Sequence, residues 1–258
     1  MVKMSLGEEI KQLAFKQGFV AVGITNTSQL EDLPYGWVAD VRNLLRPTDE
    51  LPEAKSVIML VLHAWDKVFG LEIESPLWKG YGFHKPEEKI EGYYISYMLS
   101  HSKALPIIAY LIEKGYKAKL STNIPLKTTA VTCGLGHSGK NTLLVNPVYG
   151  PRLGLMAIIT SAELDIDEPF TENLCGDCTR CIDACPTRAL TPYHVDIRRC
   201  LTYAAENPEK TDLPADVREL EKKFIIRPTR NSYIECYICA EVCPIGQDKY
   251  KMYKRGSS

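Results

Sequence analysis

Apolar residues near the start of the chain recur every three or four positions, which is the spacing of one helix face. Within residues 5–17, Ile10, Leu13 and Ala14 share such a face. Gly18 follows directly, and glycine commonly ends a helix because it adopts the left-handed conformation without strain. The pattern therefore predicts an amphipathic helix over residues 5–17 that ends at Gly18.

Four other segments have the length and apolar character of strands. They are FVAVGIT (19–25), SVIMLVLHA (56–64), AKL (118–120) and GLMAIIT (154–160). The longest runs have no polar alternation, which is typical of strands that are covered on both faces. We expect these segments to form the sheet of an α+β domain.

A second helical pattern lies between two of these strands. Apolar side chains recur at helical spacing over residues 89–114, so we predict one long or broken helix with Pro106 as its kink. Residues 75–88 are predicted to form a loop. We expect two domains, a cofactor or substrate domain over 1–168 and a cysteine-rich domain over 169–258.

Composition limits the classes of partner. The chain has 258 residues, of which 45% are hydrophobic, and this supports a sizeable core. Lys and Arg together number 31 against 32 acidic residues, so the net charge of −1 gives no overall attraction to nucleic acid or an anionic membrane. No apolar run approaches the roughly 18 residues of a membrane helix, and the first residues lack the pattern of an export signal. We expect a cytoplasmic protein without a membrane partner.

Eight of the nine cysteines lie in the last third of the chain. Residues 175–186 read CGDCTRCIDACP, which is the C-x2-C-x2-C-x3-C-P run of bacterial ferredoxins. In such a run the first three cysteines bind one [4Fe–4S] cluster and the fourth binds another. A reducing cytoplasm also disfavours disulfides, so the spacing predicts cluster ligands.

A second run, CYICAEVCP (236–244), keeps the last three cysteines of the same pattern. The first position of that pattern is Tyr233, and Cys200 in DIRRCLTY is the available replacement. Eight cysteines then fill the eight ligand positions of two [4Fe–4S] clusters. The predicted sets are Cys175, Cys178, Cys181 and Cys243 for cluster 1, and Cys185, Cys200, Cys236 and Cys239 for cluster 2.

One other interpretation of the cysteine-rich region is a zinc site. Sets of four cysteines also bind zinc, but zinc sites favour paired C-x2-C units over triplets that end in Cys-Pro, so we favour clusters. Cys133 stands apart and is interpreted as a small buried residue. The tether between Cys200 and Cys236 is charged and rich in proline, and we interpret it as a surface insertion with a short helix over 215–224.

The stretch GLGHSGKN (134–141) matches the dinucleotide pattern G-x-G-x-x-G and nearly matches the P-loop G-x-x-x-x-G-K-[ST]. Both need a long helix after the glycines, but NTLLVNPVYGPRLG contains two prolines and two glycines. The P-loop also needs a hydroxyl at the position that Asn141 occupies. We therefore predict a turn that closely approaches a large cofactor, formed by Gly134, Gly136, Gly139, Lys140 and Asn141.

The motifs together resemble the epoxyqueuosine reductase and reductive dehalogenase group. The resemblance rests on GLGHSGKNTLLV, CGDCTRCIDACPTRAL, DIRRCLTY and CYICAEVCP, and extends back to residues 18–25 and 51–60. It implies a nitroreductase-like domain that binds cobalamin, followed by a bacterial ferredoxin-like domain with two [4Fe–4S] clusters. It also implies an oxidoreductase of the cytoplasm that works under anaerobic conditions.

In that group electrons pass through the clusters to a corrinoid, so the expected electron donor is a ferredoxin or flavodoxin. No D-x-H-x-x-G motif surrounds any histidine, and we therefore expect a base-off cobalamin without a protein axial ligand. The candidate proton donors or substrate contacts are Lys127, Tyr94 and His137, with Tyr93 and Lys140 as further candidates.

The chain departs from the epoxyqueuosine reductase pattern at two places. The segment that carries a catalytic aspartate in that family reads STNIPLKTTAVTC here and has no acid, and the chain ends before the family's C-terminal helical repeats. We therefore expect a small-molecule substrate or a corrinoid protein as partner rather than nucleic acid. Two alternatives stay open, namely an electron-transfer protein that docks or activates a partner, and a reductase that binds a flavin such as FMN.

Overall fold

The computed structural model describes residues 4–38, 42–63, 95–208, 210–225 and 235–249. The helices are α1 (Leu6–Lys16), α2 (Pro47–Glu50), α3 (Ile95–Glu113), α4 (Leu126–Thr132), α5 (Arg180–Asp183), α6 (Leu201–Glu206), α7 (Ala215–Phe224) and α8 (Ile238–Glu241). The strands are β1 (Ala21–Asn26), β2 (Gly36–Val38), β3 (Arg42–Leu44), β4 (Ser56–His63), β5 (Ala118–Ser121), β6 (His137–Ser138), β7 (Leu144–Val145), β8 (Leu153–Thr160), β9 (Leu190–Thr191) and β10 (His194–Val195). The predicted loop over 75–88 lies outside the described residues.

A four-stranded sheet with the order β1-β4-β8-β5 organises the first part of the chain, and each neighbouring pair is antiparallel. The register places Ile24, Ile58, Ile158 and Leu120 in one row across all four strands. These four strands are the ones that the apolar segments predicted. Cross-strand aliphatic pairs of this kind stabilise the sheet.

Both faces of the sheet are covered, which explains why β4 is apolar without alternation and buried at all eight positions. Successive side chains of a strand point to opposite faces. α1 and α3 pack over one face, where the buried side chains include Ile10, Ile24, Ile58, Leu60, Ile107, Leu111 and Ile158. α4 covers the other, where they include Val57, Met59, Val61, Ala130, Cys133, Leu135 and Ile159.

The helix boundaries follow local signals in the sequence. Ser5 accepts a hydrogen bond from the backbone N–H of Glu8, whose carboxylate accepts one from the N–H of Ser5, so α1 begins with a capping box. Gly18 has φ +89° just after the helix, as predicted. α3 contains Pro106 within its length. Residues 89–94 of the predicted helix are not among the described ones.

The cysteine-rich part contains short helices, two small strands and its own core. α6 and α7 pack on each other around Leu201, Tyr203, Leu213 and Val217. Cys200 and Cys236 pack against this core. The tether between these two cysteines is therefore more than a surface insertion, because its helices support both sulfur-bearing segments.

None of the helices in the described ranges is both long and apolar enough to cross a membrane.

Candidate iron–sulfur and cofactor site

Four cysteines from two distant segments line one cavity. Cys175, Cys178 and Cys181 come from the first cysteine run, and Cys243 follows α8 in the second run. The rest of the lining is largely apolar and includes Val145, Leu174, Pro244 and Ile245. Cys175, Cys178 and Cys181 are close together in sequence, whereas folding places Cys243 beside them.

The pKa values of the thiols depend on which cysteines are neighbours. Burial raises the pKa of Cys181, and the nearby thiols of Cys175 and Cys243 raise it further. Burial also raises the pKa of Cys243, while the backbone N–H of Ile245 and the Arg152 guanidinium lower it and the Cys175 and Cys178 thiols raise it. These four cysteines therefore form one group.

The remaining four cysteines form a second group beside the first. Burial raises the pKa of Cys239 to about 12, and the neighbouring thiols that raise it further are Cys236, Cys200, Cys181 and Cys185. Burial likewise raises the pKa of Cys236, whose thiol neighbours are Cys200 and Cys185. Because Cys181 of the first group acts on Cys239 of the second, the two groups adjoin.

These groups coincide with the two ligand sets that the spacing predicts, and ligation itself stays a prediction. Deprotonated thiols in sets of four, partly buried against apolar walls, are the donors that [4Fe–4S] clusters need. All nine cysteines are free. Within the described residues, no three His, Cys, Asp or Glu side chains converge as they would around a single metal ion.

The glycine-rich turn at 134–141 follows α4, contains β6 and leads into β7. No helix follows the glycines, as predicted, and the chain enters short strands instead. A Cβ on Gly134 would lie 2.5 Å from the carbonyl oxygen of Glu168, and one on Gly136 would lie 2.3 Å from that of Val145. A Cβ on Gly139 would lie 2.6 Å from Oδ1 of Asn141. The protein's own atoms thus approach these glycines closely, and their contact with a cofactor stays a prediction.

Lys140 and Asn141 connect this turn to the two cysteine groups. The backbone N–H of Lys140 donates to Sγ of Cys175 across 3.4 Å, and its Nζ donates to the carbonyl oxygen of Gly176 at 2.7 Å. Asn141 is buried, and its Nδ2 donates to the carbonyl oxygen of Cys239 at 3.3 Å. Two consecutive residues of the turn therefore contact one predicted ligand segment of each cluster.

Lys127 lies near the second cysteine group, at the start of α4. Protein atoms around the Lys127 amine exclude water and thereby lower its pKa. Cys200, Cys239 and Glu235 act in the opposite direction and raise it. The rest of the side chain is exposed. Lys127 lies at the second cysteine group, as Lys140, a further candidate donor, lies at the first. The catalytic role of Lys127 stays a prediction.

The other candidate donors lie elsewhere or outside the described ranges. His137 is in β6, and its ring centroid is 6.1 Å from that of Tyr193. Partial burial lowers the pKa of His137, which favours the neutral imidazole, and its buried Nε2 has no hydrogen-bond partner among the described residues. Tyr93 and Tyr94 are not among the described residues.

Sequence reasoning missed Arg152, which precedes β8 and is 1% exposed. Its Nη1 donates to the carbonyl oxygen of Ile245 at 2.9 Å, and its Nη2 donates to those of Glu241 and Cys243 at 3.0 and 2.9 Å. Gln247 donates to the same two carbonyls of Glu241 and Cys243, at 2.7 Å each. The sequence offered one signal, namely that Arg152 directly precedes an apolar strand. Such a signal is weak, because a charged residue is rarely buried.

Comparisons with known proteins agree with this geometry. Residues 174–246 match the family described as a 4Fe-4S double cluster binding domain. An epoxyqueuosine reductase from Synechococcus sp. (strain CC9605) is 36% identical over 119 residues, which cover 46% of this chain and 34% of the relative. Another, from Lactococcus garvieae (strain Lg2), is 28% identical over 260 residues and covers 93% of this chain and 69% of the relative.

The chain is similar to epoxyqueuosine reductases over nearly its whole length. The match spans about a third of the length of the Synechococcus relative, 34%, so the activity of the whole relative does not carry over to this chain.

Solved structures show the same fold. An epoxyqueuosine reductase with an epoxyqueuosine-modified tRNA stem loop gives a TM-score of 0.66 at 22% identity, covering 95% of this chain and 66% of that chain. A reductive dehalogenase described in connection with B12-dependent dehalogenation gives a TM-score of 0.60 at 16% identity. This alignment covers 96% of this chain and 33% of that chain. The predicted fold, a nitroreductase-like α+β part followed by a ferredoxin-like two-cluster part, is confirmed. The predicted double-cluster domain is confirmed as well.

Proposed function

We propose that the chain is a reductase that passes single electrons through two [4Fe–4S] clusters to a bound base-off corrinoid, which reduces a small substrate. The observation that carries the proposal is the adjacency of the two cysteine groups, since the consecutive residues Lys140 and Asn141 contact Cys175 of one group and the Cys239 carbonyl of the other. Neighbouring clusters in such a pair form a relay for one electron at a time. A relay of this kind serves electron transfer, whereas a single structural site would suffice to stabilise the fold.

The second cysteine group lies near α4, which belongs to the domain over residues 1–168 that we propose holds the corrinoid. Lys127 is exposed at the start of α4 and lies near Cys200 and Cys239. An ammonium whose pKa is lowered gives up its proton more readily than an ordinary lysine, as a proton donor to substrate requires. When bound, the corrinoid would supply the two-electron chemistry, and the role of the chain would be to hold it and to deliver a proton.

The choice of a corrinoid rests on the fold shared with the reductive dehalogenase described as B12-dependent. Because the identity to that protein is 16%, this likeness supports the fold of the cofactor domain and leaves FMN as the competing cofactor. An external ferredoxin or flavodoxin is the proposed electron donor. The nine free cysteines support a reducing compartment, so we place the reaction in the cytoplasm.

Nucleic acid is the substrate alternative that one comparison favours. One solved relative holds a tRNA stem loop, so a nucleoside within tRNA competes with a free small molecule as the substrate. The balanced charge of this chain gives no general attraction to RNA, and we therefore propose the small molecule. A gel-shift titration with a tRNA stem loop at low and physiological salt distinguishes the two.

The decisive experiment is anaerobic reconstitution followed by metal analysis and a spectral titration with cobalamin. We expect about eight irons per chain for two [4Fe–4S] clusters, and about four in each of the Cys175→Ser and Cys200→Ser variants. Cys133→Ser is the matched control and should keep the full iron content. Iron content near zero in the wild-type protein would refute both clusters.

The titration then separates the cofactor hypotheses. A shift of the cobalamin spectrum in the presence of the protein supports the corrinoid, whereas a flavin spectrum in the purified protein supports FMN. Full iron content without either cofactor indicates the electron-transfer alternative and overturns the reductase proposal. Lys127→Gln should abolish turnover while leaving the iron content and cofactor binding unchanged, and unaltered turnover in this variant would remove Lys127 from the reaction.

A further inference from the structure

Thr187 comes two residues after Cys185, the last cysteine of the first run, and lies against its sulfur. The side-chain hydroxyl of Thr187 is 3.6 Å from Sγ of Cys185, within reach of a hydrogen bond to sulfur. Thr187 is 2% exposed, so bulk water does not compete for this contact. When Cys185 binds iron as a thiolate, its sulfur has no proton to give, and the Thr187 hydroxyl is then the donor.

The backbone of Thr187 is held in place by an arginine that belongs to an ion pair. Nε of Arg199 donates to the carbonyl oxygen of Thr187 at 2.7 Å, and Nη2 of Arg199 pairs with the carboxylate of Asp216 in α7. Because that carboxylate offsets the guanidinium charge, the contact orients Thr187 rather than placing a net charge beside the cluster. Arg199 also directly precedes Cys200, so one side chain connects the segments of two predicted cluster 2 ligands.

The two cysteine runs differ at the position of this hydroxyl. In both runs the last cysteine is followed by proline, but the next residue is Thr187 in the first run and Ile245 in the second. Backbone N–H groups donate to sulfurs of both predicted clusters, to Cys185 across 3.3 Å and to Cys175 across 3.4 Å. The Thr187 hydroxyl is thus an additional donor to cluster 2, and isoleucine offers no such group at the equivalent position for cluster 1.

A hydrogen bond to a ligand sulfur changes the reduction potential of an iron–sulfur cluster. A cluster with four thiolate ligands is net negative and becomes more negative on reduction, so a donated hydrogen stabilises the reduced form more than the oxidised form. The reduction potential rises as a result. The effect is local, because the donor contacts one sulfur of one cluster.

We propose that the Thr187 hydroxyl raises the reduction potential of cluster 2 through Sγ of Cys185. Reduction of cluster 2 adds one electron, which comes from a ferredoxin or flavodoxin directly or through cluster 1, and it neither breaks a bond nor moves a proton. Cluster 2 includes Cys200 and Cys239, which lie near Lys127 in α4 of the proposed cofactor domain. The hydroxyl therefore favours the electron on the cluster that adjoins this domain, and the inference rests on the proposed function.

The test is a redox titration followed by electron paramagnetic resonance, in which the Cys175→Ser and Cys200→Ser variants assign the two cluster signals. Thr187→Val has nearly the same shape as the wild-type side chain and lacks the hydroxyl. The equilibrium constant for reducing cluster 2 should fall by about threefold to tenfold in this variant, and tenfold is about 59 mV for a one-electron couple. The potential of cluster 1 should not change. Thr187→Ser keeps the hydroxyl and should retain most of the wild-type potential of cluster 2.

Thr202 provides the matched control. It also lies beside cluster 2, two residues after Cys200, but its hydroxyl donates to the carbonyl oxygen of Cys236 at 3.5 Å rather than to a sulfur. Thr202→Val makes the same change of hydroxyl to methyl and should leave both potentials unchanged. Thr187→Ala also lacks the hydroxyl, so it decides the question if Thr187→Val does not fold.

Several results overturn the proposal. One is an unchanged cluster 2 potential in a folded Thr187 variant without the hydroxyl, and another is an equal shift of both clusters. The proposal also fails if Thr187→Ser or Thr202→Val lowers the cluster 2 potential as far as Thr187→Val does. Failure of the proposed function gives a different result, because the wild-type protein would then show fewer than two cluster signals or would bind no corrinoid.

Discussion

Lys140 donates its backbone N–H to Sγ of Cys175 across 3.4 Å, and this contact joins the glycine-rich turn to the first cysteine group. A turn that resembles a nucleotide-binding loop in sequence thus contacts a predicted cluster ligand in the fold. Its neighbour Asn141 contacts the segment of Cys239 in the second group. The turn therefore serves as a support for both predicted clusters.

The buried amide of Asn141 should contribute measurably to stability. Asn141→Ala removes the donor to the Cys239 carbonyl and the acceptor for the N–H of Leu143, leaving two backbone groups without these partners. We expect a loss of about 1–3 kcal/mol in the free energy of unfolding. Anaerobic denaturant titration measures it. Ser138→Ala, at an exposed position of the same turn, should change stability by no more than about 0.5 kcal/mol; equal effects at both positions would contradict the assigned role.

Gly246 lies where the cluster 1 ligand segment meets the loop before Arg152. It has φ +73°, and a Cβ there would lie 2.3 Å from the carbonyl carbon of Tyr149. Backbone cannot yield as a flexible side chain does, so Gly246→Ala should displace the segment of Cys243 and reduce the iron content of cluster 1.

Gly176→Ala is the control for the effect of Gly246→Ala. Gly176 also has a left-handed φ, +45°, but a Cβ there would meet no atom within 4 Å. This variant should lose only about 1–2 kcal/mol from backbone strain and retain its iron. Iron analysis and thermal unfolding of both proteins check the difference, and retention of iron in Gly246→Ala would show that the close approach is dispensable.

Gly23 in β1 packs against the end of α4. A Cβ on Gly23 would lie 2.4 Å from the carbonyl oxygen of Cys133 and 2.6 Å from its Cβ. Gly23→Ala should therefore overpack this core and cost about 1–3 kcal/mol of stability. Gly154→Ala in β8 is the control, because its new methyl would meet Leu62 at 3.9 Å, an ordinary contact. Thermal unfolding that shifted equally in both variants would argue against the predicted clash.

Cys133 should resist alkylation in the folded protein. Burial raises the pKa of its thiol well above the usual range, the carboxylate of Asp167 raises it further, and Lys11 opposes this. The thiolate is the reactive form, so at pH 8.5 the folded protein should react far more slowly at Cys133 than the unfolded chain does. Mass spectrometry after iodoacetamide treatment, with guanidinium-unfolded protein as the control, measures the ratio. Labelling of Cys133 at similar rates in both states would refute its burial.

Local signals predicted much of the fold. α7 spans residues 215–224, the short helix that was predicted within the charged, proline-rich tether. The four strands of the main sheet follow from apolar segments, because a strand covered on both faces needs no polar positions. Counting ligand positions predicted one set, Cys175, Cys178, Cys181 and Cys243, whose members line one cavity in the structure, and their ligation stays a prediction. These features depend on residues close together in sequence or on simple stoichiometry.

Other features depend on contacts between residues far apart in the chain. The role of the tether helices followed only from their packing against Cys200 and Cys236. The glycines of the turn matched two nucleotide-binding patterns, yet their nearest atoms belong to Glu168, Val145 and Asn141. No local pattern distinguishes a glycine that admits a ligand from one that admits another part of the same backbone.

The sequence alone determined the four strands of the main sheet, the helices α1 and α3 on one of its faces, and the cluster motif, since each arises from local periodicity or spacing. Only the tertiary structure decided that Arg152 is buried beside Cys243 and that Lys140 contacts Cys175. The physical reason is that charge and hydrogen bonding act through space, and folding brings these residues together from distant positions in the chain.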